Sequence, residues 1–188
     1  DMAGAASRPY CAPCEAAVEP WEALVRTVRG EGDTLGGIVR VEVLGVPSGL
    51  GEPVFDKLDA VLAQALMSVG AVKGVEIGDG FAAARSRGSF NNDAYRPAGA
   101  GSTPGNPATN HCGGILGGIS TGQPLVMTVA IKPIPSIAKE QQSVNLTSLT
   151  PETLRVQGRH DPCIVPRAVP CVEAAAAVAV YDALLGEH

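Results

Sequence analysis

The sequence predicts an α+β fold built on antiparallel sheets. Helix-period and strand-period segments are mixed without a regular βαβ rhythm, which argues against a doubly wound parallel sheet. Gly and Pro fill 38 of the 188 positions, so long structured loops must join the elements. Aromatics are only 4% against 45% hydrophobic residues, so the core has to be built from Ala, Val, Leu and Ile.

Taken in order, Pro20 to Arg29 sets Trp21, Leu24, Val25 and Val28 on one helical face, with Pro20 suited to the first turn. Gly30-Glu31-Gly32-Asp33 stops it. Ile38 to Val43 alternates with β-branched residues and predicts a strand. After the turn-rich 47–53 stretch, Val54 to Val69 is helical, with Phe55, Leu58, Leu62, Leu66 and Val69 recurring at three- and four-residue steps. Ala71 to Ile77 is the next predicted strand. Residues 78–123 carry almost no periodicity, and a loop of that length in a compact domain is usually functional or disordered. Pro124 to Ile131 is a third strand, Leu154 to Gln157 a weaker one. Val172 to Leu185 closes the series as a helix with Ala174 to Ala177 as its spine. Its nearly all-round apolar surface predicts burial on several sides, as between two sheets.

Composition excludes several classes. A formal net charge of −5 gives no basic face for nucleic acid. No apolar run reaches the length of a membrane span, Val172 to Leu185 being too short, so no membrane partner is expected. The opening lacks a Met, a secretory leader and any clear pattern before Pro20, so the chain is expected to begin mid-protein. Five cysteines, Cys11-x-x-Cys14, Cys112, Cys163 and Cys171, have neither the pairing of a disulfide framework nor the second pair of a zinc site. No metal is expected, and the thiols read as those of a reduced, cytoplasmic protein.

Two motifs are weighed and set aside. Gly78-Asp79-Gly80-Phe81-Ala82-Ala83 matches a loose dinucleotide fingerprint, but Asp79 would face the pyrophosphate and Arg85-Ser86-Arg87-Gly88 cuts off the helix. Gly118-Ile119-Ser120-Thr121-Gly122 matches a nucleophile elbow. Its flanks are a glycine loop and Pro124, however, instead of a strand and a helix. What survives is a set of anion-binding parts. The glycine-rich 110–122 loop offers backbone N–H groups at close approach. Lys132-Pro133-Ile134-Pro135-Ser136 supplies an ammonium and a hydroxyl, and Gly158-Arg159-His160-Asp161-Pro162 a guanidinium, an imidazole and a carboxylate.

These segments, with Gly32-Asp33-Thr34-Leu35-Gly36-Gly37, the run from Gly45 to Leu58, and Ala65-Leu66-Met67-Ser68 with Ala71 to Gly78, resemble the chorismate synthase family in order along the chain. The resemblance covers the C-terminal part of that family's chain, so residues 1–188 are expected to be one C-terminal portion of a longer enzyme. It implies a layered sandwich with helices between two antiparallel sheets, and assembly as a homotetramer. The implied activity is a lyase that turns 5-enolpyruvylshikimate 3-phosphate into chorismate and phosphate by 1,4-elimination, in aromatic amino acid biosynthesis. The cofactor is reduced FMN, with NADPH as a reductant, and the compartment the cytoplasm, or the plastid in a plant or alga. FMN contacts implied by the resemblance are Gly70, Ala71, Gly117, Lys132, Pro133, Ile134, Pro135, Ser136 and Arg159. Catalytic roles fall on Arg159 as a clamp for the leaving phosphate, Asp161 as a proton relay and His160. The alternative is that the chain alone is a non-catalytic half for flavin binding and oligomerisation.

Overall fold

The structure is a computed structural model that describes residues 4–95 and 107–186. The chain separates into two compact units, Asp1–Gly37 with Ile131–Val169, and Ile38–Ala130 with Pro170–His188.

The first unit contains α1 (Val18–Gly30), which follows three short 3₁₀ turns. Of the four apolar residues expected on one face of α1, only Val25 is buried, and Leu24 is 51% exposed. Gly32, at φ +70, ends the helix by a left-handed turn that lets the Asp33 N–H reach the Val28 carbonyl. This unit also holds the hairpin β6 (Gln141–Val144) and β7 (Pro151–Leu154), paired antiparallel with Gln141 opposite Leu154. Asn145 shapes its turn, its side-chain oxygen accepting the Thr147 and Ser148 N–H groups at 2.9 and 3.1 Å. The weak strand expected at Leu154–Gln157 therefore lies earlier. Pro151 to Leu154 pairs, and residues 155–157 leave the ladder toward the Gly158 loop.

The second unit is built around a three-stranded sheet of order β1-β5-β2, from β1 (Gly37–Val43), β5 (Leu125–Ile131) and β2 (Val72–Ile77). The central strand β5 alternates as expected: Leu125, Met127 and Val129 are fully buried and Ile131 nearly so. Helix α2 (Leu58–Met67) packs on β2 through Leu58, Leu62 and Leu66, four residues apart and buried. It begins four residues later than its periodicity predicts. Glu52 and Asp56 exchange both backbone hydrogen bonds at 2.9 Å and close a loop there, leaving Phe55 89% exposed.

Residues 78–123 are not structureless where they are described. They hold a 3₁₀ turn (Gly80–Arg85), a single helical turn α3 (Gly88–Asn91), and the hairpin β3 (Ile115–Leu116) with β4 (Ile119–Ser120). Residues 96–106 of this stretch lie outside the described residues. Gly117 and Gly118 join β3 to β4 with φ of +61 and +89, the doubly left-handed turn that matches strand twist and that glycine adopts without cost.

The last helix, α4 (Val165–Leu185), begins seven residues before its expected start and carries Pro170 inside. At 21 residues it is longer than the Val172 to Leu185 stretch and meets the length and composition of a membrane span, a test that a core helix also meets. Burial follows one stripe, Val172, Ala176, Ala179 and Val180. Val178 is 68% exposed and Tyr181 63%, so the expected burial on several sides is not met within this chain. Small residues permit close packing but do not themselves supply a neighbour. Antiparallel hairpins, a mixed-order sheet and helices without βαβ alternation make the class α+β, as predicted.

Candidate functional site

In the first unit the 131–139 segment meets the 32–36 segment at several points. The Gly32 carbonyl accepts the Ala138 N–H at 2.9 Å, Asp33 pairs with Lys139 at 2.7 Å, and the Thr34 hydroxyl donates to the Ile134 carbonyl at 2.6 Å. Thr34 is only 8% exposed. A Cβ added to Gly36 would strike the Ile131 carbonyl oxygen and come within 2.9 Å of the Pro133 ring, so only glycine lets these backbones meet. The hydrogen-bonded ammonium of Lys139 lowers the pKa of Asp33, and the Asp33 carboxylate in turn raises that of Lys139.

Within Lys132–Ser136, Lys132 is exposed and Ser136 half-buried. Ser136 Oγ lies 3.4 Å from His160 Nδ1, and His160 Nε2 lies 3.2 Å from the Val156 carbonyl. A carbonyl can only accept, so Nε2 carries a proton; in the neutral imidazole Nδ1 then accepts from the serine hydroxyl. Both ring nitrogens are engaged. Asp161 Oδ2 accepts from Arg167 at 2.7 Å. Among the described residues neither Lys132 nor Arg159 has a hydrogen-bond or ion-pair partner, and Arg159 is exposed. The structure thus brings Ser136 to His160 and pairs Asp161 with Arg167, six residues further along the chain.

In the second unit, Gly70 and Ala71 turn the chain from α2 into β2. Ala71 sits at φ +71, a left-handed conformation that costs a residue with a Cβ about 1–2 kcal/mol. A Cβ on Gly70 or Gly117 would meet nothing within 4 Å, so the backbone at both is open to approach. Beside Leu116, which precedes Gly117, Ser89, Asn92, Asp93, Cys112 and Thr121 help line a hollow of 540 Å³.

The same unit holds polar contacts that spacing does not reveal. His111 Nδ1 lies 2.6 Å from Asp79 Oδ2, with the Phe90 ring 5.2 Å from the imidazole. Asp93 accepts the Thr109 hydroxyl at 2.6 Å and the His111 and Cys112 N–H groups at 2.8 Å each. Burial pushes the Asp93 carboxyl up. The Thr109 hydroxyl and the two backbone N–H groups outweigh it and hold the group at about 2. Burial first, and then the neighbouring Asp93, raise the pKa of the Cys112 thiol, so the thiol is not an activated nucleophile. Asp79 faces an imidazole, and the segment after it forms only a 3₁₀ turn, which excludes the dinucleotide reading. Ser120 is 3% exposed, donates to the Pro47 carbonyl at 2.6 Å and accepts the Leu50 N–H at 2.9 Å, which excludes the nucleophile elbow.

The family model described as chorismate synthase matches residues 2–185. The chain belongs to the chorismate synthase family. It is 58% identical over 185 residues to a chorismate synthase of Nitratidesulfovibrio vulgaris strain Hildenborough, covering 98% of this chain and 50% of that one. Against a chorismate synthase of Methanosarcina acetivorans it is 53% identical, covering 93% of this chain and 47% of the relative. A crystal structure of chorismate synthase superposes with a TM-score of 0.75 at 34% identity, covering 94% of this chain and 45% of that one. The chain therefore spans about half the length of the chorismate synthases it matches.

Proposed function

We propose that the chain is the C-terminal portion of a chorismate synthase that releases phosphate from 5-enolpyruvylshikimate 3-phosphate, and that it carries residues gripping FMN and the leaving phosphate. The observation that carries this is the pair Lys132 and Arg159. In a chain of net charge −5, these two loop cations of one unit have no side-chain hydrogen bond or ion pair among the described residues, whereas Arg8, Lys139, Arg155 and Arg167 of the same unit are engaged. A guanidinium or ammonium placed without a carboxylate fits a phosphate group, which supplies the missing charge. The open backbone at Gly70 and Gly117 fits close approach by a ligand in the same way.

Each residue then has a defined task. Lys132 and the Ser136 hydroxyl hold a phosphate-bearing cofactor, and Pro133 and Pro135 limit the conformations of the stretch between them. Gly70, Ala71 and Gly117 are the main-chain flavin contacts that the family resemblance implies in the second unit. Reduced FMN, once bound, supplies an electron-rich ring that assists loss of the allylic phosphate. Arg159 stabilises the negative charge that grows on that phosphate as its C–O bond breaks. Asp161, fixed by Arg167, takes and passes on the proton given up from the ring carbon. His160 holds Ser136 by its Nδ1. In the proposed enzyme the parent chain acts in the cytoplasm as a homotetramer and draws on NADPH for flavin reduction.

FMN titration followed by flavin fluorescence tests the grip. Lys132→Ala and Arg159→Ala each weaken binding by about tenfold or more, the scale of a charge-assisted contact; unchanged affinity in both removes the assignment. A second reading, a flavin-binding half without catalysis, is favoured by the coverage of about half of each relative. Phosphate release from 5-enolpyruvylshikimate 3-phosphate by the 188-residue chain with reduced FMN separates the two. We expect none from the chain alone, and turnover would defeat that reading. In a full-length enzyme, Asp161→Asn keeps flavin binding and loses turnover.

A further inference from the structure

We infer that Thr34 is a positioning residue for the flavin-gripping stretch, and that the Gly32-Asp33-Thr34-Leu35-Gly36 segment acts as its clamp. The inference rests on the reading of Lys132–Ser136 given above and adds what keeps that stretch in place. Lys132 to Ser136 belongs to no helix or strand, and two prolines remove N–H groups that would otherwise be available to tie it down. Its order must therefore come from neighbours. The 32–36 segment supplies it at four points: Gly36 against Ile131 and Pro133, Thr34 on the Ile134 carbonyl, Gly32 on the Ala138 N–H, and Asp33 on Lys139.

These contacts differ in weight. The Asp33–Lys139 pair is partly exposed and screened, and contributes little. Thr34 is almost wholly buried, and its 2.6 Å bond is the one that lands inside the stretch, between the ammonium of Lys132 and the hydroxyl of Ser136. Removing that donor leaves the Ile134 carbonyl without its partner and frees the peptide to rotate. Past Ile134, the stretch is caught again where His160 meets Ser136. Thr34 thus sets the separation and orientation of two groups that would close on one phosphate, without touching it.

The test uses the full chain with FMN as the probe, in three variants: Thr34→Val, which keeps the shape and loses the donor; Thr34→Ser, which keeps the donor; and Lys132→Ala. Hydrogen exchange of the 131–139 peptide is followed alongside. Thr34→Val weakens FMN binding about tenfold and speeds exchange of that peptide, and Thr34→Ser restores both. A merely structural threonine would lower the melting temperature without a separate loss of affinity or of local protection. If Lys132→Ala weakens binding and Thr34→Val does not, Thr34 has no positioning role, and the flavin assignment stands. If neither weakens it, the assignment fails and the positioning role with it.

Discussion

Asp93 shows how one carboxylate can organise a loop from three directions. Its acceptors take a hydroxyl from Thr109 and two main-chain N–H groups, and together they outweigh burial to hold its pKa at about 2. The unfolded chain has that group near the ordinary value of about 3.9. A depressed folded pKa means the stabilisation is complete above pH 4 and is lost as pH falls toward 2. Asp93→Asn should therefore cost on the order of 1–2 kcal/mol at pH 6, at the lower end because the carboxylate is partly exposed. Urea unfolding at a series of pH values reads this directly: the gap between wild type and variant closes between pH 4 and 2. A gap that stays constant would show that the carboxylate charge is not what matters. Asp93 left no trace in the sequence pattern, and Thr34, though it sits in a family-like segment, gave no sign there of what it bonds. Thr34 meets a carbonyl 100 residues away, and no periodicity records such a contact. The 110–122, 132–136 and 158–162 segments were legible because glycine, proline and charge cluster locally there.

Elements were legible where the repeat was long enough to count. Strand β5 gives four buried residues at period two and α2 three at period four, and both stand out in the sequence. The hairpins could not, since strands of two and four residues complete too few repeats to show a period. Their turns carry the specification instead. Gly117→Ala and Gly118→Ala separate conformational cost from space. Both place a Cβ at positive φ, about 1 kcal/mol each. Only at Gly118 does the new Cβ fall 2.8 Å from Lys57 Cβ, where the conflict cannot be relieved by a flexible side-chain end. Differential scanning calorimetry should rank Gly118→Ala as the worse by about 1 kcal/mol or more; equal losses would mean the hairpin moves away from Lys57. On α4 the same logic picks the buried stripe. Val172→Ala costs about 2 kcal/mol because the residue is fully buried, and Val178→Ala, at 68% exposure, costs within about 0.5 kcal/mol.

At the scale of the molecule, apolar exposure is not scattered singly. On α4, Val178, Tyr181 and Leu185 recur at three- and four-residue steps and are 68%, 63% and 55% exposed, which makes a second apolar stripe beside the buried one. On the β6–β7 hairpin and its turn, Leu146 and Leu149 are 84% and 76% exposed. Contiguous exposed apolar surfaces of this kind mark places of contact. The helix supplies a graded test, since exposed residues can be changed without disturbing the stripe that packs. The 188-residue chain should self-associate or bind an apolar dye, and a Val178→Glu, Tyr181→Lys, Leu185→Glu variant should do neither while unfolding at the same denaturant midpoint. Sedimentation velocity over a tenfold concentration range, with dye fluorescence in parallel, decides it. A single monomeric boundary for the unaltered chain, with no dye enhancement, would show that the exposed stripe is tolerated in water. Loss of the denaturant midpoint in the variant would instead show that these side chains pack within the chain, against the exposure the structure gives them. The first outcome would leave the apolar count of the sequence, 45% of residues, without a demand for a partner. Association that vanishes with the three substitutions would locate that demand on one helix face.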